Sequence, residues 1–93
     1  MIRSFAGHET ELVRQGIRSK RLPPDVQRLG LRKLQMLEAA ERVDDLRVPP
    51  GNRLEALKGN RSGQWSIRIN DQWRICFRWV NDNAGDVEIV DYH

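Results

Sequence analysis

Ninety-three residues, 39% hydrophobic and 31% charged, suffice for one domain around a modest core and exclude a transmembrane helix or a disordered tail. A single cysteine excludes a disulfide scaffold, and with two distant histidines it gives no zinc-ligand spacing, so no cofactor is expected. The net charge of +3 is small, but arginine far outnumbers lysine, and its planar fork suits phosphate, which raises the expectation of a polyanionic partner.

The opening run MIRSF reads as a short first strand. It lacks the apolar stretch of a secretion signal, and with an unpaired cysteine the expected compartment is a reducing cytoplasm, with no membrane partner. GHETELVRQG reads as a short helix with Glu9 and Glu11 in its first turn and Gly16 at its end. A basic connector, IRSKRLPP, leads to a longer helix that starts near Pro24, with Asp25 in its first turn. Val26, Leu29, Leu34, Met36, Leu37, Ala40 and Val43 fall on about half of its circumference, the expected core face. Lys33 lies in the same arc and is expected to snorkel outward, whereas Leu31 has no evident place. VPPGN, 48 to 52, ends the helical region.

Sheet follows. RLEALK, 53 to 58, is a weakly patterned strand. WSIRIN and WRICFRWV alternate apolar and polar residues cleanly. NDNAGD, 81 to 86, reads as a turn, and VEIVDYH as the last strand. A three-residue loop, Asn70 to Gln72, opposes Trp65 to Phe77, Ile67 to Ile75 and Ile69 to Trp73, which puts the large apolar residues on one face. It also opposes Arg68 to Arg74, so the other face carries Arg68, Arg74 and Arg78 together. Like charges opposed in a sheet are unfavourable, and an anion between them would relieve this; a solvated face with splayed arginines is the bland alternative. The fold class is therefore α+β, a two-layer single domain over residues 1–93, with two helices on one face of a mainly antiparallel sheet.

Arg68, Arg74, Arg78 and Lys58 can hold a phosphodiester, and Asp91, Tyr92 and His93 add groups that move protons. RNA brings its own nucleophile, the 2′-hydroxyl. The set suits cleavage to a 2′,3′-cyclic phosphate with no metal. His8 reads as a surface residue, the three tryptophans as packing residues, and Cys76 as a small packing residue. A binding module without catalysis would use the same fold and arginine face.

The run PPGNRLEALKGNRSGQWSIRINDQWRICFRW, the terminal VEIVDYH and the initial MIRSF resemble the HigB-type toxins of the RelE superfamily, the plasmid-maintenance "killer" proteins, and the GraT-like subgroup in particular. The resemblance spans essentially the whole chain. It implies a β-α-α-β-β-β fold and ribosome-dependent cleavage of mRNA in the A site. It also implies a HigA-like helix-turn-helix antitoxin, and operator DNA bound only through the toxin–antitoxin complex. By residue, Asp91, Tyr92 and His93 match the family's terminal catalytic segment, Lys58 the lysine of its LKG turn, and Arg74 the arginine of its WR-I-x-F strand. Arg61, Arg68 and Arg78 are expected to hold RNA, and Lys20, Arg21, Arg28 and Arg32 to grip ribosomal RNA. Members of the family carry a histidine two residues before the LKG leucine, where this chain has Glu55. A carboxylate could serve as the base, but carboxylic acids ionise at much lower pH than imidazoles, so a weaker toxin is expected.

Overall fold

A computed structural model of the chain describes residues 1–91. Helix α1 covers His8–Arg14 and α2 covers Pro24–Ala39; strands β1 (Glu55–Ala56), β2 (Trp65–Arg68), β3 (Trp73–Val80) and β4 (Asn83–Asp91) form one antiparallel sheet in that order. Both helices lie on one face of the sheet, and Val13, Val26, Leu34 and Leu37 pack there against Ile67, Ile69, Ile75 and Phe77. The three tryptophans are half-buried against this core, as packing residues.

The hairpin register is as the alternation predicts: Trp65 faces Phe77, Ile67 faces Ile75, and Arg68 faces Arg74. The three-residue loop is set by Asn70, whose Oδ1 accepts the backbone N–H of Gln72 at 2.9 Å and of Trp73 at 2.8 Å. Helix α1 is tied to the sheet by Thr10, whose buried Oγ1 accepts the Ile89 N–H at 2.8 Å. It stops where Gly16 takes φ +77°, a left-handed C-terminal conformation that glycine adopts without strain. Gly30 explains how closely α2 lies on the sheet. A Cβ at this position would sit 3.4 Å from Ile89 Cδ1 and 3.6 Å from Ile69 Cδ1.

Four expectations change. The MIRSF segment is not a full strand. It joins the sheet beside β4 through two isolated parallel bridges, Ile2 to Ala84 and Phe5 to Val87. Helix α2 ends before Val43, which instead opens a 3-10 turn, Val43–Arg47. That turn starts because the Asp45 carboxylate accepts the N–H groups of Glu41 (2.9 Å) and Arg42 (3.0 Å), two bonds that also hold the carboxyl below its ordinary pKa. The 53–58 strand shrinks to two residues, because Arg53 is left-handed at φ 46° and Lys58 leads into the 3-10 turn Gly59–Arg61. Finally, the last strand begins at Asn83, not Val87. Asn81 and Asp82 alone make the turn, with φ 52° and 62°, the pattern of a two-residue hairpin loop. Leu31 also finds its place, half-buried at the edge of the core.

Candidate active site

The face of the sheet away from the helices carries the arginines, and its floor is buried. The register sets Glu55, Ser66, Cys76 and Glu88 side by side across the four strands. Arg68 and Arg74 lie in the next row, about 6.8 Å along the strands. Ser66 and Cys76 are fully buried beneath the longer side chains.

Arg74 is the most constrained of these cations, with a side chain only 13% exposed. Its Nε donates to Ser66 Oγ at 2.8 Å and its Nη2 to the Arg53 carbonyl at 2.7 Å. Nη2 also lies 3.8 Å from the Glu55 carboxylate, which is half-exposed at the strand edge. Fixed at both ends, the guanidinium loses little freedom when it takes up an anion, which is the arrangement an oriented phosphate contact requires. Arg61 reaches over the sheet from the loop after β1, with Nη1 on Gln64 Oε1 at 3.0 Å and Nη2 on Glu88 Oε1 at 3.4 Å. Arg78 pairs with Asp86 at 3.4 Å, and Arg68 with Asp71 at the hairpin tip.

These pairings correct the argument from like charge. Arg68 and Arg74 do oppose one another, but each of the four arginines on this face has an acid beside it, so the fold supplies its own counterions and the sheet does not require an external anion to form. Burial pushes the Cys76 thiol above its ordinary pKa, which keeps it protonated and suits a packing role.

The remaining expected site residues are less tightly gathered. Lys58 is exposed at the start of the 3-10 turn that carries Arg61. Asp91 ends β4 opposite Trp73, in the helix-side row, and accepts a bond from Gln72 Nε2 at 3.0 Å. Tyr92 and His93 lie outside the described residues. The structure thus brings Glu55, Arg61, Arg68 and Arg74 together, with Arg78 farther along the same face. His8 is exposed on α1.

Three contributors were missed from sequence. Ser66 and Glu88 sit on the arginine face by simple alternation, so the strand register could have exposed both. The Arg53 carbonyl depends on a left-handed arginine that no motif announces. Among the described residues, no group of three or more His, Cys, Asp or Glu is placed to hold a metal ion. No helix among them is long and apolar enough to cross a membrane.

Comparison with known proteins gives one answer. Residues 8–93 match the model of a family described as the RelE-like toxin of type II toxin–antitoxin system HigB. The chain is 47% identical to Toxin HigB-1 of Vibrio cholerae over 67 residues, covering 72% of this chain and 70% of the relative. It is 35% identical to Endoribonuclease HigB of Proteus vulgaris over the full length of both. A solved structure, the YoeB-YefM complex from Staphylococcus aureus, shares the fold with a TM-score of 0.62 at 17% identity, covering 100% of this chain and 95% of that one. With a family match over nearly the whole chain and relatives that agree, the chain belongs to the HigB-like family of RelE-like toxins of type II toxin–antitoxin systems.

Proposed function

We propose that the protein is an endoribonuclease toxin that cuts mRNA in the ribosomal A site and is held in check by a HigA-like helix-turn-helix antitoxin. Operator DNA is met only through the complex with that antitoxin. The observation that carries the reading is Arg74, locked by Ser66 and the Arg53 carbonyl on the open face of the sheet, with a carboxylate 3.8 Å away. The name of the Proteus vulgaris relative, an endoribonuclease, supports the same chemistry.

In this mechanism the 2′-hydroxyl of the substrate attacks the adjacent phosphorus in line and expels the 5′-oxygen, leaving a 2′,3′-cyclic phosphate. Arg74 and Lys58 neutralise the charge that builds on the phosphate oxygens. Glu55 and His93 are the acid and base: one takes the 2′-hydroxyl proton and the other returns a proton to the leaving oxygen. Asp91 orients, and Tyr92 stacks on or hydrogen-bonds the substrate. Arg61, Arg68 and Arg78 hold RNA along the face. Lys20, Arg21, Arg28 and Arg32, all exposed, contact ribosomal RNA.

The test is primer-extension mapping of mRNA on programmed ribosomes with the wild type and His93→Ala. The expected result is cleavage in the A-site codon that the variant loses. Binding to ribosomes without cleavage by the wild type would overturn the reading and leave a binding module.

A further inference from the structure

Arg74 is held from a distance. The Arg53 carbonyl that receives its Nη2 belongs to a left-handed residue, φ 46°, that follows Asn52 directly. Asn52 is fully buried. Its Nδ2 donates to the carbonyls of Leu46 at 3.1 Å and Val48 at 3.4 Å, and its own N–H donates to the Pro49 carbonyl at 2.9 Å. Its Oδ1 accepts a bond from Lys33 Nζ, which crosses from helix α2. Lys33 therefore does not snorkel into solvent as its helical position suggests.

We infer that Lys33 and Asn52 are positioning residues for Arg74: the lysine braces the buried asparagine, the asparagine fixes the loop, and the loop presents the Arg53 carbonyl that sets the guanidinium. The chain of bonds runs from α2, through a loop, to the open face on the far side of the sheet. Without the brace, Nη2 keeps only the neighbouring Glu55 carboxylate as a described partner besides the carbonyl, and the fork turns toward the strand edge. Burial, with the charge of Arg68 added, lowers the Lys33 pKa. A cation is kept there at a cost, as a brace with a purpose beyond packing would require. The catalytic consequence rests on the reading of Arg74 as a phosphate contact; the geometric part does not.

The experiment has two independent readouts on Lys33→Met and on Lys33→Arg, which retains a donor. The first is NMR of the Arg74 guanidinium, where the bond to Arg53 slows rotation about Nε–Cζ. In Lys33→Met this rotation should accelerate about tenfold or more at Arg74 and stay unchanged at Arg61 and Arg78. The second is single-turnover mRNA cleavage on ribosomes. The rate at saturation should fall about tenfold to a hundredfold, with the half-saturating concentration within about twofold of wild type. Lys33→Arg should recover most of both. If Lys33→Met fails to fold, Lys33→Gln carries the same test at this half-exposed helix site. Unchanged Arg74 rotation in a folded variant overturns the brace, whatever happens to cleavage. Faster rotation with undiminished cleavage overturns its catalytic importance. If the wild type itself cuts no RNA, the phosphate reading fails, and the rotation measurement still decides the brace.

Discussion

Glu55 stands where the family carries a histidine, and replacing it with glutamine separates its two conceivable contributions by sign. The carboxylate lies 3.8 Å from Arg74 Nη2. At that distance the Coulomb attraction is about 1 kcal/mol in bulk water and about 4 kcal/mol at an effective dielectric constant of 20. The glutamate side chain is 53% exposed, so the lower figure is appropriate. If Glu55 only shields the guanidinium, Glu55→Gln frees Arg74 for the phosphate and speeds cleavage by about fivefold, the factor that 1 kcal/mol allows. If Glu55 moves a proton, the same change removes about 10²- to 10⁴-fold of rate, and the gain at Arg74 offsets only a small part. The expected outcome is a net loss of about 20-fold or more. The assay is single-turnover cleavage of mRNA on programmed ribosomes, with Glu55→His as companion. The histidine variant should exceed the wild type, since it restores the family's imidazole and removes the competing carboxylate. A glutamine variant as fast as the wild type, with a histidine variant no faster, would refute the assignment.

Ser66→Ala removes the 2.8 Å bond to Arg74 Nε from a fully buried site, and should lower stability by about 1 to 3 kcal/mol in urea titration while also slowing cleavage. Cys76 should react with iodoacetamide far more slowly in the native protein than in denaturant, because it is buried and held as the thiol. Its folded pKa is raised, so the folded state retains the proton longer than the unfolded chain. That contribution to stability is full below the unfolded thiol pKa and is lost as pH rises toward the folded one, so the alkaline loss of stability should be smaller in Cys76→Ala than in the wild type. Exchanging both Arg28 and Arg32 for glutamine should flatten the salt dependence of ribosome binding by about one unit of slope each, read by sedimentation at several salt concentrations.

How much of this was legible depended on whether a feature was local. The β2–β3 register followed from period-two alternation and from a face that tolerates no mixing of tryptophan with arginine, and Asn70 confirms it from within the turn. The arginine face was legible for the same reason. Its acids were not, because they come from separate places: Asp71 from the hairpin tip, Glu88 and Asp86 from β4, Glu55 from a two-residue edge strand. Asp86 owes its position to a shift of the β3–β4 register and a left-handed backbone, φ 49°, neither of which side-chain pattern can encode. Asn81 to Asp86 reads as one long turn because its composition is turn-like. Only the two positive-φ residues are turn, and the tertiary partnership with the N-terminal segment makes the remainder strand. Lys33 was misplaced because a helical wheel shows which way a side chain leaves the helix and not what waits there.

The paired arginines give the open face an unusual character as a surface for a polyanion. It behaves as an ion exchanger already loaded with its own tethered carboxylates. A strand laid across it trades one set of acidic partners for another, and few mobile salt ions are set free in the exchange. Attraction on this face is therefore shallow in strength and demanding in geometry, rewarding phosphates that match the spacing of the guanidinium groups, while long-range capture falls to the exposed cations of the connector and α2.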